Sequence, residues 1–377
     1  MSASPSIRSF SDLRHAIADA DTSPIRDFGR GVWIHGAGGF GRKLAGLLDG
    51  ADIPVLGFID RRGTELKQID GRPVFHPDAI TDDNVTGACH LHGLMNDGTP
   101  SAEITRWAGA RGFARLLFPT DLHRVDGVTL RHYWLAPRLE TIGHLAAIEY
   151  IHDGLADDES REILRSVLRY RLHADPRLHP TVHRADSYAP RFLPIFDAPL
   201  TFIDGGAYTG DTVDALLDHG VPIGDWIAFE PDDENFVKLQ RTADRRRGEI
   251  DSFSLFRLGL SDRNARVSFS NGAGAASHIA GDQAGETSID IVRADDVVKR
   301  KGPLYIKLDV EGEELPALRG MPGLLSCDPV LAVSIYHEPQ DLWAIPQFLM
   351  DRWPTAAFYI RQHGYHAFDT VFYVVPK

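Results

Sequence analysis

The sequence predicts an α/β protein of two Rossmann-like units, a smaller one in front and a larger one behind, joined by a helical connector. Three observations carry this expectation. Residues 201–212 read Thr-Phe-Ile-Asp-Gly-Gly-Ala-Tyr-Thr-Gly-Asp-Thr: an apolar run ends in Asp204, turns through Gly205, Gly206 and Gly210, and enters the helical pattern Val213, Leu216, Leu217. Residues 31–41 repeat the arrangement, with Gly36, Gly38 and Gly41 in the pattern G-x-G-x-x-G. Further apolar runs close on acids or a histidine, at Asp60, Glu230, Asp309 and His337. Strand, tight glycine turn and helix N-terminus is how a parallel sheet brings its backbone close to a ligand.

In the rear half, Asp204 and Asp211 bracket the turn. A phosphate loop offers its helix N-terminus to an anion, whereas two carboxylates repel a pyrophosphate at close range. They suit a ligand with a cationic centre, an amino group and hydroxyls. S-adenosyl-L-methionine has that chemistry, and Gly205, Gly206, Ala207, Tyr208, Gly210 and Thr212 are the turn residues that would approach it. A second strand, Asp225–Phe229, runs into Glu230-Pro231. Glu230 stands 26 residues beyond Asp204, near the spacing at which an acidic strand end reaches ribose hydroxyls. A third strand, Phe253–Leu258, leads to Gly259-Leu260-Ser261. The fourth, within residues 303–312, puts Lys307, Asp309 and Glu311 on one face by the period of two. A fifth, Val330–Tyr336, ends in His337-Glu338.

From about Tyr188 to the C-terminus the chain resembles the FkbM family of S-adenosylmethionine-dependent methyltransferases. The resemblance rests on Phe202 to Tyr208, Phe229-Glu230-Pro231, Gly259-Leu260-Ser261 and Ser288-Ile289-Asp290. Its most specific part is Ile306-Lys307-Leu308-Asp309-Val310-Glu311-Gly312-Glu313-Glu314. It implies a seven-stranded domain over residues 188–377, a methyl donor held by Asp204 to Thr212, Glu230, Pro231, Leu260, Ser261, Asp309 and Glu311, and O-methylation of a sugar, glycan precursor or other natural product. One departure is Ala294-Asp295, where such proteins usually carry Leu-Asp.

Methyl transfer to an alcohol requires donor and acceptor in line and removal of the acceptor proton. His337, at a strand's end, is the expected base, because imidazole titrates near neutrality; the other reading is a histidine that only anchors the strand end. Asp309 and Glu311 could act as base, orient His337 or bind a divalent ion with it, Asp309 being better placed as orienting or cofactor group than as base; the other reading is a carboxylate pair tied to Lys307 and loop amides. Lys307 is expected to pair with Asp309 or Glu230, since an unpaired buried ammonium is costly. Asp-x-Glu with a distant histidine is too loose a pattern to assign a metal, and none is expected. Residues 271–278 are small and polar; they read as an acceptor loop carrying Ser277 and His278, or equally as a plain hairpin connection.

The front half, residues 1–136, admits two readings of its glycine turn. Asp60 follows Gly36 by 24 residues, which meets the context of a dinucleotide fingerprint, yet such glycines also serve a turn alone. From Gly31 to about Leu122 the pattern resembles the small Rossmann-like subdomain in front of bacterial sugar-modifying enzymes. That resemblance implies a partner domain more than a reaction, and no tight NAD binding is expected. An NAD- or nucleotide-sugar-dependent enzyme working through this turn is the main alternative function; a non-catalytic binding module is another. The connector, 137–187, reads as helical, with Asp157 to Ser160 capping a run of Ile163, Leu164, Val167, Leu168 and Leu172. His173, His179 and His183 read as solvated loop histidines, and Arg245-Arg246-Arg247 as a solvated helix end.

The 377 residues suit two domains, and 43% hydrophobic content allows real cores. A net charge of −13, from 40 basic against 53 acidic residues, argues against a nucleic-acid surface. Cys89 and Cys327 are the only cysteines, too few for a disulfide framework. No signal-peptide layout or membrane-length apolar run is present, so a cytoplasmic protein with a small-molecule or glycan acceptor is expected. A homo-oligomer is left open.

Overall fold

The computed structural model describes residue 10 and residues 23–183, 185, 187–194, 196, 198–270, 278–279, 287–299 and 302–377. These fall into two compact units. One takes the described residues of Met1–Glu149 with Glu162–Thr181 and Gly364–Phe368; the other takes Tyr150–Arg161, Val182–His363 and Asp369–Lys377.

The front unit is built on six strands: β1 (Val32–His35), β2 (Val55–Ile59), β3 (Gln68–Ile69), β4 (Arg72–Phe75), β5 (Cys89–His92) and β6 (Arg115–Leu117). Their order is β3-β4-β2-β1-β5-β6, parallel except for the β3–β4 pair. The glycine turn after β1 leads into the helix Gly39–Gly50, which buries Leu44, Ala45 and Leu48 and leaves Leu47 half-buried. A Cβ on Gly41 would stand 1.9 Å from the Gly36 carbonyl oxygen, so that glycine serves close packing of turn against helix. Histidines, unusually, line this core. His35 Nδ1 meets His90 Nε2 at 3.2 Å, and the Ser101 hydroxyl bridges His92 Nε2 (3.0 Å) and His366 Nε2 (2.6 Å). Burial pushes His35 down to about 4, and His90 and His92 well below the ordinary value. These imidazoles are therefore neutral packing and hydrogen-bonding groups.

The rear unit contains β7 (Leu200–Gly205), β8 (Ile223–Phe229), β9 (Ser252–Phe256), β10 (Gly259–Leu260), β11 (Ala265–Ser270), β12 (His278–Ile279), β13 (Thr287–Val292), β14 (Leu304–Leu308), β15 (Val330–Ser334), β16 (Ala357–Gln362) and β17 (Thr370–Val375). Seven of them form a sheet in the order β16-β17-β15-β14-β7-β8-β9, as the sequence led one to expect. β10, β11, β12 and β13 form a small separate sheet. β17 runs antiparallel to β15 and β16, and the remaining neighbours are parallel. The chain steps outward from β7 to β8 and β9, then returns to β14 on the other side. The direction of winding thus reverses between β7 and β14, and ligands of open α/β sheets bind at the carboxyl edge of such a reversal. β7, β14 and β15 are buried along their whole length, which explains their near-continuous apolar sequence. Phe202, Trp226, Tyr305 and Tyr373 share one core there.

Three expectations need correction. β14 ends at Leu308, and Glu311 lies at φ 54, so strand alternation does not place Glu311 on a face with Lys307; a loop does. The three connector histidines are half-buried rather than solvated. His173 ends the helix Asp158–His173, His179 packs edge-on against Tyr170 and accepts from the Ala367 amide, and His183 lies 3.2 Å from Glu159. The predicted cap is present, with the Ser160 amide donating to Asp157. Arg246 is less solvated than expected, pairing with Asp214, Asp218 and Glu249.

Phe202, fully buried at the middle of β7, tests the core. Phe202→Ala should cost about 3–5 kcal/mol, seen as an earlier urea midpoint in the unfolding of the rear unit. Loss below 1 kcal/mol would mean that this core is not closely packed.

Candidate active site

The carboxyl ends of β7 and β14 meet through one lysine. Lys307 sits in β14 with its side chain almost fully buried, its ammonium 3.4 Å from Asp204 Oδ1 and 3.9 Å from Asp309 Oδ2. It donates to the Gly206 carbonyl at 2.6 Å and lies over the Tyr188 ring. Burial alone would lower its pKa, but Asp204, Asp309 and Asp211 outweigh burial and hold it above the ordinary lysine value. Burial raises Asp204, with Lys307 opposing and Asp211 adding to the rise. Asp204 has no exposed surface and stands beneath the glycine turn.

The turn wraps around that pair. Gly206, Tyr208 and Gly210 all have positive φ (72°, 48° and 84°). A Cβ on Gly206 would lie 1.8 Å from the Asp309 carbonyl oxygen, so only glycine lets β7's turn close on the loop after β14. The amides of Gly206 and Ala207 donate to the Phe229 carbonyl. At the end of β8, Glu230 accepts from the amides of Tyr208 and Asp232, both at 2.9 Å. Burial pushes Glu230 up to about 7 against the pull of those two amides. Asp211 is exposed at the start of the helix Asp211–Asp218, with Thr212 buried behind it and Pro231 half-buried beside Glu230. Leu260 is buried on β10; the Ser261 hydroxyl donates to Glu313.

The loop after β14 forms the opposite wall. Asp309 accepts from the hydroxyls of Tyr188 (Oδ2, 3.2 Å) and Tyr336 (Oδ1, 3.3 Å). Burial would raise it, but Lys307 and His337 keep it below the ordinary carboxylate range. His337, past the end of β15, is buried. Its Nδ1 lies 2.8 Å from Glu314 Oε1, and its Nε2 lies 3.6 Å from Asp309 Oδ1 and 3.5 Å from Glu311 Oε2. Glu314 has no exposed surface and also accepts from the amides of Val310 (2.7 Å) and Gly312 (3.1 Å). Burial would lower His337, but Glu314, Glu311 and Asp309 together raise it well above the ordinary histidine value. The enclosing carboxylates thus favour the protonated imidazole, unlike the freely titrating group that the sequence leads one to expect. Burial, with Asp309 and Glu314, lifts Glu311 to about 8.

Lys307, Asp309, Glu311 and His337 are therefore gathered with the glycine turn at one edge of the sheet. Of the acceptor-loop residues, Ser277 lies outside the described residues, and His278 is described only as part of β12, paired with Ser270. Three contributors carried no role in the sequence reading. Glu314 lay inside the recognised block; its signal was a fourth acid placed to open a helix, Glu314–Arg319. Tyr188 and Tyr336 offer no signal beyond flanking strands, because their contact with Asp309 is made only in three dimensions.

Residues 204–367 match the family model described as the Methyltransferase FkbM domain. The chain carries an FkbM methyltransferase domain. Hexuronic acid methyltransferase AglP of Haloferax volcanii is 31% identical to it over 123 residues, which are 31% of this chain and 50% of that protein. The match thus spans about half the length of this curated relative. The crystal structure of methyltransferase FkbM from Methylobacillus flagellatus KT superposes with a TM-score of 0.75 at 22% identity, covering 97% of this chain and 98% of that one. That likeness is one of fold. Among the described residues, no helix of the FkbM-domain chain is long and apolar enough to cross a membrane.

Glu230 yields a pH prediction. Its folded carboxyl binds a proton more tightly than the unfolded one, so from about pH 4.5 to about pH 7 ionisation costs the folded state and stability falls as pH rises. Glu230→Gln should flatten that fall in denaturation midpoints measured across the window. An unchanged slope would assign it to other groups.

Proposed function

We propose that the FkbM domain is an S-adenosylmethionine-dependent O-methyltransferase whose acceptor is a hydroxyl of a sugar, glycan precursor or similar small molecule. One observation carries it: a glycine turn whose surroundings are carboxylates, Asp204, Asp211, Glu230 and Asp309, with the nearest ammonium, Lys307, already held by Asp204 and Asp309. Such a cradle fits a cationic sulfonium and amino group and rejects a pyrophosphate. The half-buried Gly206, where no side chain fits, and Glu230, whose strand-end carboxylate still has lone pairs after its two amides, suit the nucleoside part. S-adenosylmethionine supplies the methyl group as an electrophilic carbon on its sulfonium.

The chain's own residues then have separate tasks. Gly205, Gly206, Ala207, Tyr208, Gly210, Asp211 and Thr212 form the cradle; Glu230 and Pro231 take the ribose end; Leu260 and Ser261 flank the base. Asp204 acts from beneath by fixing Lys307. Asp309 and Glu311 line the donor from the β14 loop, and His337, Asp309 and Glu311 together form the acceptor end, where the hydroxyl proton is removed. The hexuronic acid substrate in the name of the Haloferax volcanii relative supports a sugar acceptor. The soluble-side expectation of a small acceptor is also supported by the acidic charge, −13, which disfavours nucleic acid. The front turn gives the dinucleotide alternative no support. Asp60, the acid a dinucleotide ribose would use, already accepts from the Ala37 amide and from the backbone and guanidinium of Arg62, which hold it down at about 2.

Calorimetry with S-adenosylhomocysteine should find one site, weakened in Glu230→Ala by roughly 1.5–3 kcal/mol per charged hydrogen bond lost. No binding to the wild type ends the proposal. Acceptors are found by a gain of one methyl group in mass across uronic acids and nucleotide sugars.

His337→Asn should leave S-adenosylhomocysteine affinity nearly intact while lowering turnover, because the acceptor end loses the side chain that meets Glu314, Asp309 and Glu311. Near-wild-type turnover in that variant would move the acceptor end elsewhere.

A further inference from the structure

We propose that the acceptor end of the FkbM domain is a divalent metal site, with His337 Nε2, Asp309 and Glu311 as ligands and Glu314 as the group that orients the histidine. Asp-x-Glu with a distant histidine is too loose a sequence pattern to assign a metal; the three-dimensional arrangement brings the groups together. Among the described residues, Asp309, Glu314 and His337 bring ligand atoms to within 4.8 Å of one another. Glu311 Oε2 adds a further carboxylate 3.5 Å from Nε2, while Asp309 Oδ1 stands 3.6 Å from the same nitrogen. Two ligands each about 2.0–2.2 Å from one ion are roughly 3.4 Å apart at tetrahedral angles. The two spacings from Nε2 to Asp309 and Glu311 are close to that value.

The division of labour follows from what each carboxylate already does. Glu314 is committed: its oxygens take the amides of Val310 and Gly312 and the Nδ1 side of His337. A carboxylate on the second ring nitrogen is the usual support of a metal-bound histidine, fixing tautomer and ring orientation. Asp309 Oδ2 faces Lys307 and Tyr188, and Oδ1 lies on the His337 side, where it also accepts from the Tyr336 hydroxyl. Glu311 keeps 23% of its side chain exposed, so the ion's remaining positions open toward solvent and acceptor. One imidazole with two carboxylates suits Mn²⁺ or Zn²⁺ better than Ca²⁺, which prefers all-oxygen sets.

This inference rests on the methyltransferase reading only for its purpose: a bound cation polarises the acceptor hydroxyl, so that its proton leaves to solvent more readily. The site itself is tested without turnover. The full chain is stripped with EDTA, freed of chelator, and titrated with Mn²⁺, free ion being read by electron paramagnetic resonance. One Mn²⁺ per chain is expected in the absence of any nucleoside, displaced by Zn²⁺. Glu311→Gln, which preserves shape, and His337→Asn should abolish saturable binding, and Glu314→Gln should weaken it on the order of 10–100-fold. Far-ultraviolet circular dichroism confirms that each variant is folded. Absence of binding to the wild type, or binding unchanged in Glu311→Gln and His337→Asn, overturns the proposal. S-adenosylhomocysteine is titrated into the same stripped sample: its binding without Mn²⁺ binding sinks the metal site alone. Mn²⁺ binding without S-adenosylhomocysteine binding sinks the methyl-donor reading alone.

Discussion

A single buried ammonium holds the rear unit's working edge together. Lys307 projects where β7 and β14 part, and its partners belong to both sides: Asp204 and Gly206 on the β7 turn, Asp309 on the β14 loop. Desolvating such an ion costs several kcal/mol, and only well-placed partners repay it. The dependence is mutual. Without the ammonium, Asp204 would be a carboxylate with no exposed surface and no counter-charge, a defect of about 3–5 kcal/mol. The turn, the pair and the loop therefore form one cooperative object, with Gly206 as the contact that lets turn and loop touch.

Glu314 does for the loop what Lys307 does for the turn. A short stretch from Asp309 to Gly312 leaves a buried strand, passes through the left-handed conformation at Glu311, and enters a helix. Its amides have no sheet neighbour at Val310 and Gly312, so a buried carboxylate takes both. The same carboxylate meets His337 from the next strand. Loop conformation and imidazole orientation are thus set by one side chain, and strain at Glu311 is held by its neighbours rather than relaxed.

Much of this architecture was legible in the sequence because its signals are local. Glycine turns after apolar runs, acids at strand ends and the helix cap at Asp157 to Ser160 each declare themselves within a dozen residues. The lysine-to-glutamate block announced the site for the same reason. What escaped was made by tertiary contact. Strand periodicity cannot report that β14 stops at Leu308, so Glu311 reached its place by a route the pattern did not contain. The tyrosines on Asp309 come from residues 188 and 336, and nothing in either neighbourhood announces that meeting. The state of His337 was misjudged because a histidine's titration depends on charges that only folding assembles.

The histidines of the front unit have a consequence of their own. His35, His90 and His92 are held neutral by burial, with folded pKa values below the unfolded 6.5. Each binds a proton more readily once released from the core, so acid favours release: the stability they permit at neutral pH drains away as pH falls below about 6.5. Glu230 in the rear unit has the opposite sign over much of that range. Through these groups, mild acidification pulls the stability of the two cores in opposite directions.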